Sequence, residues 1–114
     1  MADVLKQLVS TIGNKTPAAT TPTTLYTVPA STSAMLSRIV ICNKSATPAT
    51  FRIAISAAAS AVVNDDDWIA YDVAIGGNET INFALGCGMA TGDFITVYAS
   101  TANLVFSPFG IEVV

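Results

Sequence analysis

The side chains of this chain that could transfer protons are carboxylates, because its 114 residues include no histidine. Histidine is the commonest general base, and Ser-His-Asp and Cys-His arrangements both require one. A catalytic carboxylate pair would have to come from Asp65, Asp66, Asp67 and Asp72. Consecutive aspartates point in different directions and Asp72 lies inside a predicted strand, so these groups are not expected to converge. The sequence therefore predicts neither an enzyme nor a bound cofactor.

Residues 64–68, NDDDW, offer carboxylate oxygens of the kind that Ca²⁺ prefers. They lack the spaced Asp-x-Asp-x-Asp-Gly order of a calcium-binding loop. A solvated acidic turn is the favoured interpretation, with Trp68 covering one end of the core or contacting another subunit. The prediction is that Asp65, Asp66 and Asp67 hold no metal, and an ion in this loop stays as the alternative.

The two cysteines, Cys42 and Cys87, are far apart in a chain without histidine, which excludes the usual zinc-ligand spacings. Buried free thiols are the favoured interpretation. A disulfide remains open if the strands that carry the two cysteines face each other.

The composition favours assembly with other chains. Apolar residues make up 52% and charged residues 11% of the chain, whereas soluble domains carry about 25% charged residues. No apolar run approaches the ~20 residues of a membrane span, and no basic region followed by an apolar one indicates a secretory signal. A net charge of −3 and a pI of 4.4 argue against nucleic acid as a partner. We expect a protein made in the cytoplasm that binds neither nucleic acid nor membrane.

Residues 25–114 are predicted to form one all-β domain, an antiparallel β-sandwich or jelly roll of about seven to eight strands. The predicted strands are residues 25–28, 35–43, 50–56, 68–75, 80–85, 94–100, 104–107 and 109–114, with a break at Pro108. In residues 68–75, alternation places Ile69 and Tyr71 inward and Asp72 outward, which turns Trp68 and Tyr71 to opposite faces. The turn GGNE predicts that residues 68–75 and 80–85 pair as a hairpin.

Two segments precede this domain. Residues 14–24, rich in threonine and proline, are predicted to be an extended linker. Residues 1–13 are predicted to be an N-terminal arm. The spacing of its apolar residues fits a helix, and the same residues also fit a strand if the pattern is shifted by one residue. Val4, Leu5, Leu8 and Ile12 are the predicted apolar anchors of this arm on a partner chain.

The charges divide between the two halves of the chain. Five basic residues and one acid in the first half give +4, and seven acids in the second half give −7. Chance in a small sample is one explanation. The other is that Arg38, Lys44 and Arg52 face acids such as Asp65, Asp66 and Asp67 of a neighbouring subunit and set its register.

Several blocks occur in an order that resembles a group of small structural proteins from tailed-bacteriophage virions. They are LYTVPA (25–30), IVICN (39–43), TPATFRIAI (47–55), WIAYDVAI (68–75), VYAST (97–101) and the ending FSPFGIEV. The likeness covers about residues 20–114 and concerns strands and turns, so no functional residue is carried over from it. Residues 1–13 lie outside it.

The resemblance implies a virion component. The leading expectation is a capsid decoration, or cement, protein that forms a homotrimer and bridges major capsid protein subunits through its arm. A tail, baseplate or fibre-associated adaptor is the alternative. A carbohydrate-binding β-sandwich is more remote. Trp68, Tyr71 and Asp67 offer a minimal sugar site, but Trp68 and Tyr71 are predicted to face opposite ways and so to form no common platform.

Overall fold

The computed structural model describes residues 3–8, 12–60 and 63–113, with the backbone alone at residues 3, 4, 12, 13 and 60. The strands are β1 (Asp3–Gln7), β2 (Thr23–Thr27), β3 (Ser33–Asn43), β4 (Ala49–Ser56), β5 (Trp68–Ile75), β6 (Thr80–Met89), β7 (Phe94–Ala99) and β8 (Leu104–Val113). Short 3₁₀ turns occupy Ile12–Lys15, Ala58–Ser60 and Asp65–Asp67. The predicted all-β class is confirmed.

The eight strands form two antiparallel four-stranded sheets. We call the sheet with strand order β1-β8-β3-β6 sheet A, and the sheet with order β2-β7-β4-β5 sheet B. Strands that follow one another in sequence lie in opposite sheets, except β4 and β5, which pair within sheet B. This strand order is that of an eight-stranded jelly roll.

The core lies between the two sheets and is built from residues at alternate strand positions. In β3, Ile39 and Ile41 are fully buried, and in β4, Phe51 and Ile53 are fully buried, as the period-2 pattern predicts. Phe51 meets Phe106 of β8 edge to face, with ring centroids 6.1 Å apart. This aromatic pair joins the two sheets at the centre of the core.

The predicted hairpin between residues 68–75 and 80–85 is wrong. β5 belongs to sheet B and β6 to sheet A, so the GGNE turn carries the chain across the sandwich. The turn holds itself together, since the Glu79 carboxylate accepts a hydrogen bond from the Gly76 N–H at 2.6 Å. The Asn78 N–H is bonded to the Ser45 carbonyl at 2.8 Å, which fixes the turn to the loop after β3. A tight polar turn serves a crossing between sheets as well as a hairpin, and the sequence does not separate the two.

The predicted strand break at Pro108 is also wrong, because β8 runs through it. The Pro108 carbonyl accepts a hydrogen bond from the Leu8 N–H at 3.1 Å, just beyond the end of β1. In an antiparallel ladder the N–H and C=O of one residue face the same neighbour. The N–H that proline lacks would therefore point to the β1 side, and the pairing of β8 with β3 continues.

Part of the predicted arm is an edge strand of the sandwich. β1 pairs along its length with the end of β8, from Asp3 opposite Val113 to Gln7 opposite Phe109. Of the two interpretations left open, strand rather than helix applies to these residues. Within the predicted linker, the Thr20 N–H donates to the Ala99 carbonyl at 2.8 Å, which ties this segment to β7.

Both cysteines are free thiols and both are half-buried. Cys42 lies opposite Thr80 and Cys87 opposite Leu36, near the two ends of the β3–β6 ladder. Burial, and to a smaller extent the charge of Asp93, raise the pKa of the Cys87 thiol. The strands do not bring the two thiols together, so the disulfide left open by the sequence does not form.

Candidate functional site

The outward side of sheet A carries a row of apolar side chains across three strands. Ile111 of β8 lies opposite Leu5 of β1 on one side and opposite Met35 of β3 on the other. Residues directly opposite each other in a sheet point to the same face. Leu5 is 80% exposed and Met35 is 46% exposed, so this row faces solvent.

The next row on this side is centred on Phe109, which lies between Gln7 and Arg38. The Arg38 guanidinium lies 5.4 Å from the Phe109 ring centroid, within the range of a cation–π contact. We call Leu5, Met35, Phe109 and Ile111 the apolar face.

An open depression of about 580 Å³ borders the apolar face. It is lined by Leu5, Lys6, Gln7, Ser37, Arg38, Phe109, Gly110 and Ile111. Of the two basic residues in this lining, Lys6 is paired with the carboxylate of Glu112, so Arg38 is the residue that offers a positive charge to a partner. A surface complementary to the apolar face would therefore be apolar, with a carboxylate near Arg38.

A buried polar group explains why β8 turns Phe109 and Ile111 outward. Glu112 is 7% exposed and accepts a hydrogen bond from the Tyr26 hydroxyl at 2.5 Å, with Lys6 Nζ 3.4 Å away. A buried carboxylate is tolerated when it is paired and hydrogen-bonded in this way. With Glu112 directed inward, the alternation of the strand directs its neighbours outward.

Gly110 fits the same arrangement. It is buried between β1 and β3, and a Cβ atom at this position would clash with the Met35 carbonyl oxygen and lie 2.8 Å from Leu8 Cδ1. A glycine and a paired glutamate thus take the inward positions, while the large apolar residues of this part of β8 take the outward ones.

Replacing Tyr26 with phenylalanine should lower the free energy of unfolding by about 1–3 kcal/mol, the cost of removing a hydrogen bond to a buried charged group. Burial, followed by the hydrogen bond to Glu112 and its charge, raises the pKa of Tyr26 above its usual 10.0. Because the folded state holds this proton more tightly, its stabilisation is complete below about pH 10 and is lost as the pH rises further.

Urea unfolding at pH 7, 10 and 11 checks this prediction, with Tyr71→Phe as the matched control on an exposed tyrosine. The stability difference between wild type and Tyr26→Phe should shrink at pH 11, and Tyr71→Phe should cost less than Tyr26→Phe at pH 7. A constant difference across this range would show that the Tyr26 proton is not held by the fold.

The outward side of sheet B carries an aromatic cluster around Arg52. The Arg52 guanidinium lies 4.0 Å from the Tyr71 ring centroid and 4.3 Å from that of Tyr98. Its Nε donates to Asp72 Oδ1 at 2.6 Å, and this hydrogen bond holds the pKa of Asp72 below its usual value. Asp72 has a φ of 53°, the left-handed conformation that aspartate tolerates better than most residues.

Trp68 extends this cluster, and the prediction that Trp68 and Tyr71 face opposite ways is wrong. Their ring centroids are 5.7 Å apart with an edge-to-face angle of 74°. Together with Asp65 they line an open depression of about 470 Å³. An aromatic surface beside a carboxylate is therefore present on this side of sheet B.

The reason for this difference is that β5 contains two extra residues relative to β4. One extra residue lies between the β5 partners of Ala54 and Ile53, and a second lies between the partners of Ile53 and Phe51. Such bulges reset the alternation of side chains. Ile69 and Tyr71, predicted inward, are 42% and 57% exposed.

The predicted arm anchors have different environments. Leu5 belongs to the apolar face, but Leu8 is fully buried in the protein's own core and offers no surface to a partner. Strand geometry turns alternate residues inward, and Leu8 follows β1 at such a position. The Val4 backbone pairs with Glu112, and the side chains of Val4 and Ile12 lie outside the described part of the structure.

Of the basic residues predicted to face acids of a neighbouring subunit, Arg52 has an acidic partner within the chain. Arg52 pairs with Asp72 and Lys6 pairs with Glu112, so among the described residues two basic residues of the first half are matched to acids of the second. The fold itself thus explains part of the charge division. Arg38 borders the apolar face, and Lys44 is exposed in the loop after β3.

The three aspartates of the acidic loop form a 3₁₀ turn. The Asp67 carboxylate accepts hydrogen bonds from the Ser56 hydroxyl and the Asn64 N–H, both at 2.8 Å, so it anchors the turn to the end of β4. Asp65 and Asp66 are exposed. Within the described ranges, no three Asp, Glu or Cys side chains group as a metal site would require.

Sequence reasoning did not select Met35, Phe109, Ile111 or Tyr71 for a surface. Alternation along β8 groups Phe109 with Ile111, but the single charge at Glu112 favours the opposite orientation. The signal that could have corrected this is Gly110, which suits an inward position packed against a neighbouring backbone.

Comparisons with protein-family models, with curated proteins and with solved structures give no match to this chain. Among the described residues, no helix has the length and apolar character needed to cross a membrane.

Proposed function

We propose that this chain is a structural protein of a tailed-bacteriophage virion, a capsid decoration protein that binds the assembled shell through its apolar face. The observation that carries the proposal is the row of Leu5, Ile111 and Met35 on the outward side of sheet A, in which Leu5 and Met35 are exposed and Ile111 is half-buried. A soluble domain rarely leaves such a row on a sheet face without a partner. The order of sequence blocks described above points to virion proteins, and jelly rolls are common among viral capsid domains.

Binding of this kind would stabilise a shell without chemistry. A protein that binds the assembled lattice, and not its separate subunits, adds its binding free energy to the assembled state by mass action. A stable contact of this type buries about 1,600 Å² in total. The apolar face supplies the centre of such a contact, and Arg38 at its margin favours a capsid surface that carries an acid there.

Cryo-electron microscopy of purified virions from the source culture tests the proposal, with the chain identified by an antibody fragment raised against it. Density on the shell, with the outward side of sheet A against capsid subunits, is the expected result. Density on the tail, baseplate or fibres would support the adaptor role instead. Particles that lack the chain would overturn both virion roles.

Carbohydrate recognition is the second candidate, and the Trp68–Tyr71 contact favours it. Sugar rings stack on exposed aromatic side chains while nearby carboxylates bind their hydroxyl groups. Trp68, Tyr71 and Asp65 line one depression, which removes the objection that the two aromatic residues face apart. Jelly rolls also occur among lectins, although a shared fold alone does not assign a function.

If this second candidate is correct, Trp68→Ala should abolish binding on a glycan array. Phe109→Ala, an aromatic truncation on the other sheet, is the control and should leave glycan binding unchanged. Absence of binding by the wild-type chain to all arrayed glycans would exclude this function and leave the structural one.

A further inference from the structure

The edge of sheet A formed by β6 is a second surface, distinct from the apolar face. β6 ends the strand order of this sheet, so within the described part of the chain no strand pairs with the backbone N–H and C=O groups on its outer side. It is ten residues long, TINFALGCGM, and contains neither a charged residue nor a proline. Its residues alternate between exposed and half-buried through almost its whole length. An uncharged edge of this length is a template for pairing with another strand, although its register against β3 shifts between Ala84 and Cys87.

The other sheet edges carry features that oppose such pairing. β1 contains Asp3 and Lys6. β2 is five residues long, with a register shift against β7. β5 has two register shifts and a left-handed Asp72 that pairs with Arg52. Charges, short length and bulges are the means by which proteins protect their sheet edges. β6 also has a register shift, against β3 between Ala84 and Cys87, but it carries no charge and is twice as long as β1 or β2.

The inward side chains of β6 are also incompletely covered. Ile81, Phe83, Leu85 and Cys87 pack against the core but remain half-exposed at the open side of the sandwich. A strand added beside β6 would cover this row as well as pair the backbone. The edge therefore offers hydrogen bonds and apolar contact together.

We infer that β6 pairs antiparallel with β6 of a second copy of this chain, which joins two sheets A into one eight-stranded sheet. An antiparallel edge is complementary to itself across a two-fold axis, since the donors of each strand meet the acceptors of the other. No charge lies within β6, so a chain of net charge −3 meets itself there without direct repulsion.

The alternation of β6 limits the position of the two-fold axis. Residues directly opposite each other must point to the same face, so the axis must pass through a residue that faces its own counterpart. The two allowed registers closest to full overlap of Thr80–Met89 place it at Ala84 or at the adjacent Leu85. In either register Phe83 of one copy packs on Leu85 or Cys87 of the other.

This inference goes beyond the proposed function and does not depend on it. A dimer through β6 leaves the apolar face of both copies uncovered, on one side of a continuous sheet. It also differs from the homotrimer that the resemblance implies, and an oligomer mass separates the two. Localisation on virions and self-association in solution can each succeed or fail alone.

Sedimentation velocity of the full chain over a concentration series tests the inference. A contact near the lower limit of about 1,200 Å² binds weakly, so a reversible monomer–dimer equilibrium is expected below about 100 μM. Ala84→Lys should weaken it at least tenfold by placing like charges at the centre of the contact. Ala74→Lys, the same change at an exposed position of edge strand β5, is the matched control and should dimerise as wild type does.

Asn82→Lys, also on the exposed side of β6, provides a second variant should Ala84→Lys fail to fold. Hydrogen exchange of wild-type amides should show protection that rises with concentration within Thr80–Met89. A wild-type chain that stays monomeric to about 100 μM, a trimer, or a dimer that both lysine variants leave intact would each overturn the inference.

Discussion

Replacing Phe106 with alanine should lower the free energy of unfolding by about 3–5 kcal/mol, the usual cost of removing a buried aromatic side chain. Phe106 is fully buried and meets Phe51 edge to face. The two residues come from opposite sheets, so truncation removes contacts that hold β8 of sheet A on β4 of sheet B. Domains of this size have a free energy of unfolding of roughly 5–15 kcal/mol. This single substitution therefore removes a large part of the stability of the fold.

Phe109→Ala is the matched control for this experiment. It is the same substitution in the same strand, on the outward side of sheet A, where the Phe109 ring is only half-buried. Its cost should be about 1 kcal/mol or less, in the range of surface substitutions. Urea unfolding followed by fluorescence and circular dichroism gives both values. Equal losses for the two variants would contradict the assignment of the core to the side of β8 that carries Phe106.

The sequence predicts faces well where alternation is regular and fails where the backbone is irregular. In β3 and β4, Ile39, Ile41, Phe51 and Ile53 stand at alternate sequence positions and are all buried, because a period of two follows directly from strand geometry. In β5 the same reasoning fails after the first bulge. Nothing in WIAYDVAI marks where the extra residues fall, since bulges depend on the register with the partner strand.

The local sequence pattern does not determine which of the two sheets a strand joins. The hairpin predicted from GGNE requires β5 and β6 to be neighbours, yet β6 pairs with β3 and β5 with β4. Strand order in a jelly roll is fixed by contacts between distant parts of the chain. Turn residues report how tightly the chain bends, and they do not report which sheet it enters next.

The candidate surfaces show the same limit. Arg52 was predicted to face a neighbouring subunit, and Asp72 was predicted to face solvent. The two form an ion pair instead, because a bulge places Tyr71 and Asp72 together opposite Arg52. The apolar face was missed because Glu112 is buried. A charge on one side of a strand normally marks the solvent side, and the partners that reverse this rule, Tyr26 and Lys6, are remote in sequence.

If the proposed decoration function is correct, the double variant Leu5→Asp, Met35→Asp should weaken binding to virus shells at least a hundredfold while leaving the protein folded. Both side chains are substantially exposed, at 80% and 46%, so their replacement removes little from the core. In the bound state each aspartate would lose apolar contact and place an unpaired carboxylate in the interface. A loss of about 2.7 kcal/mol for the pair corresponds to the hundredfold change.

Ile69→Asp is the matched control, because Ile69 is an apolar side chain of similar exposure, 42%, on the opposite sheet. Co-sedimentation with virus shells stripped of this protein measures the affinity, and urea unfolding shows that each variant is folded. Retained binding by the double variant would exclude the apolar face as the contact. Loss of binding by Ile69→Asp alone would move the contact to the outward side of sheet B, where the aromatic cluster lies. Sheet A presents an apolar surface with Arg38 at its margin, and sheet B presents an aromatic surface beside Asp65. Because these surfaces differ chemically, comparing the double variant with Ile69→Asp shows which of the two sheets contacts the shell.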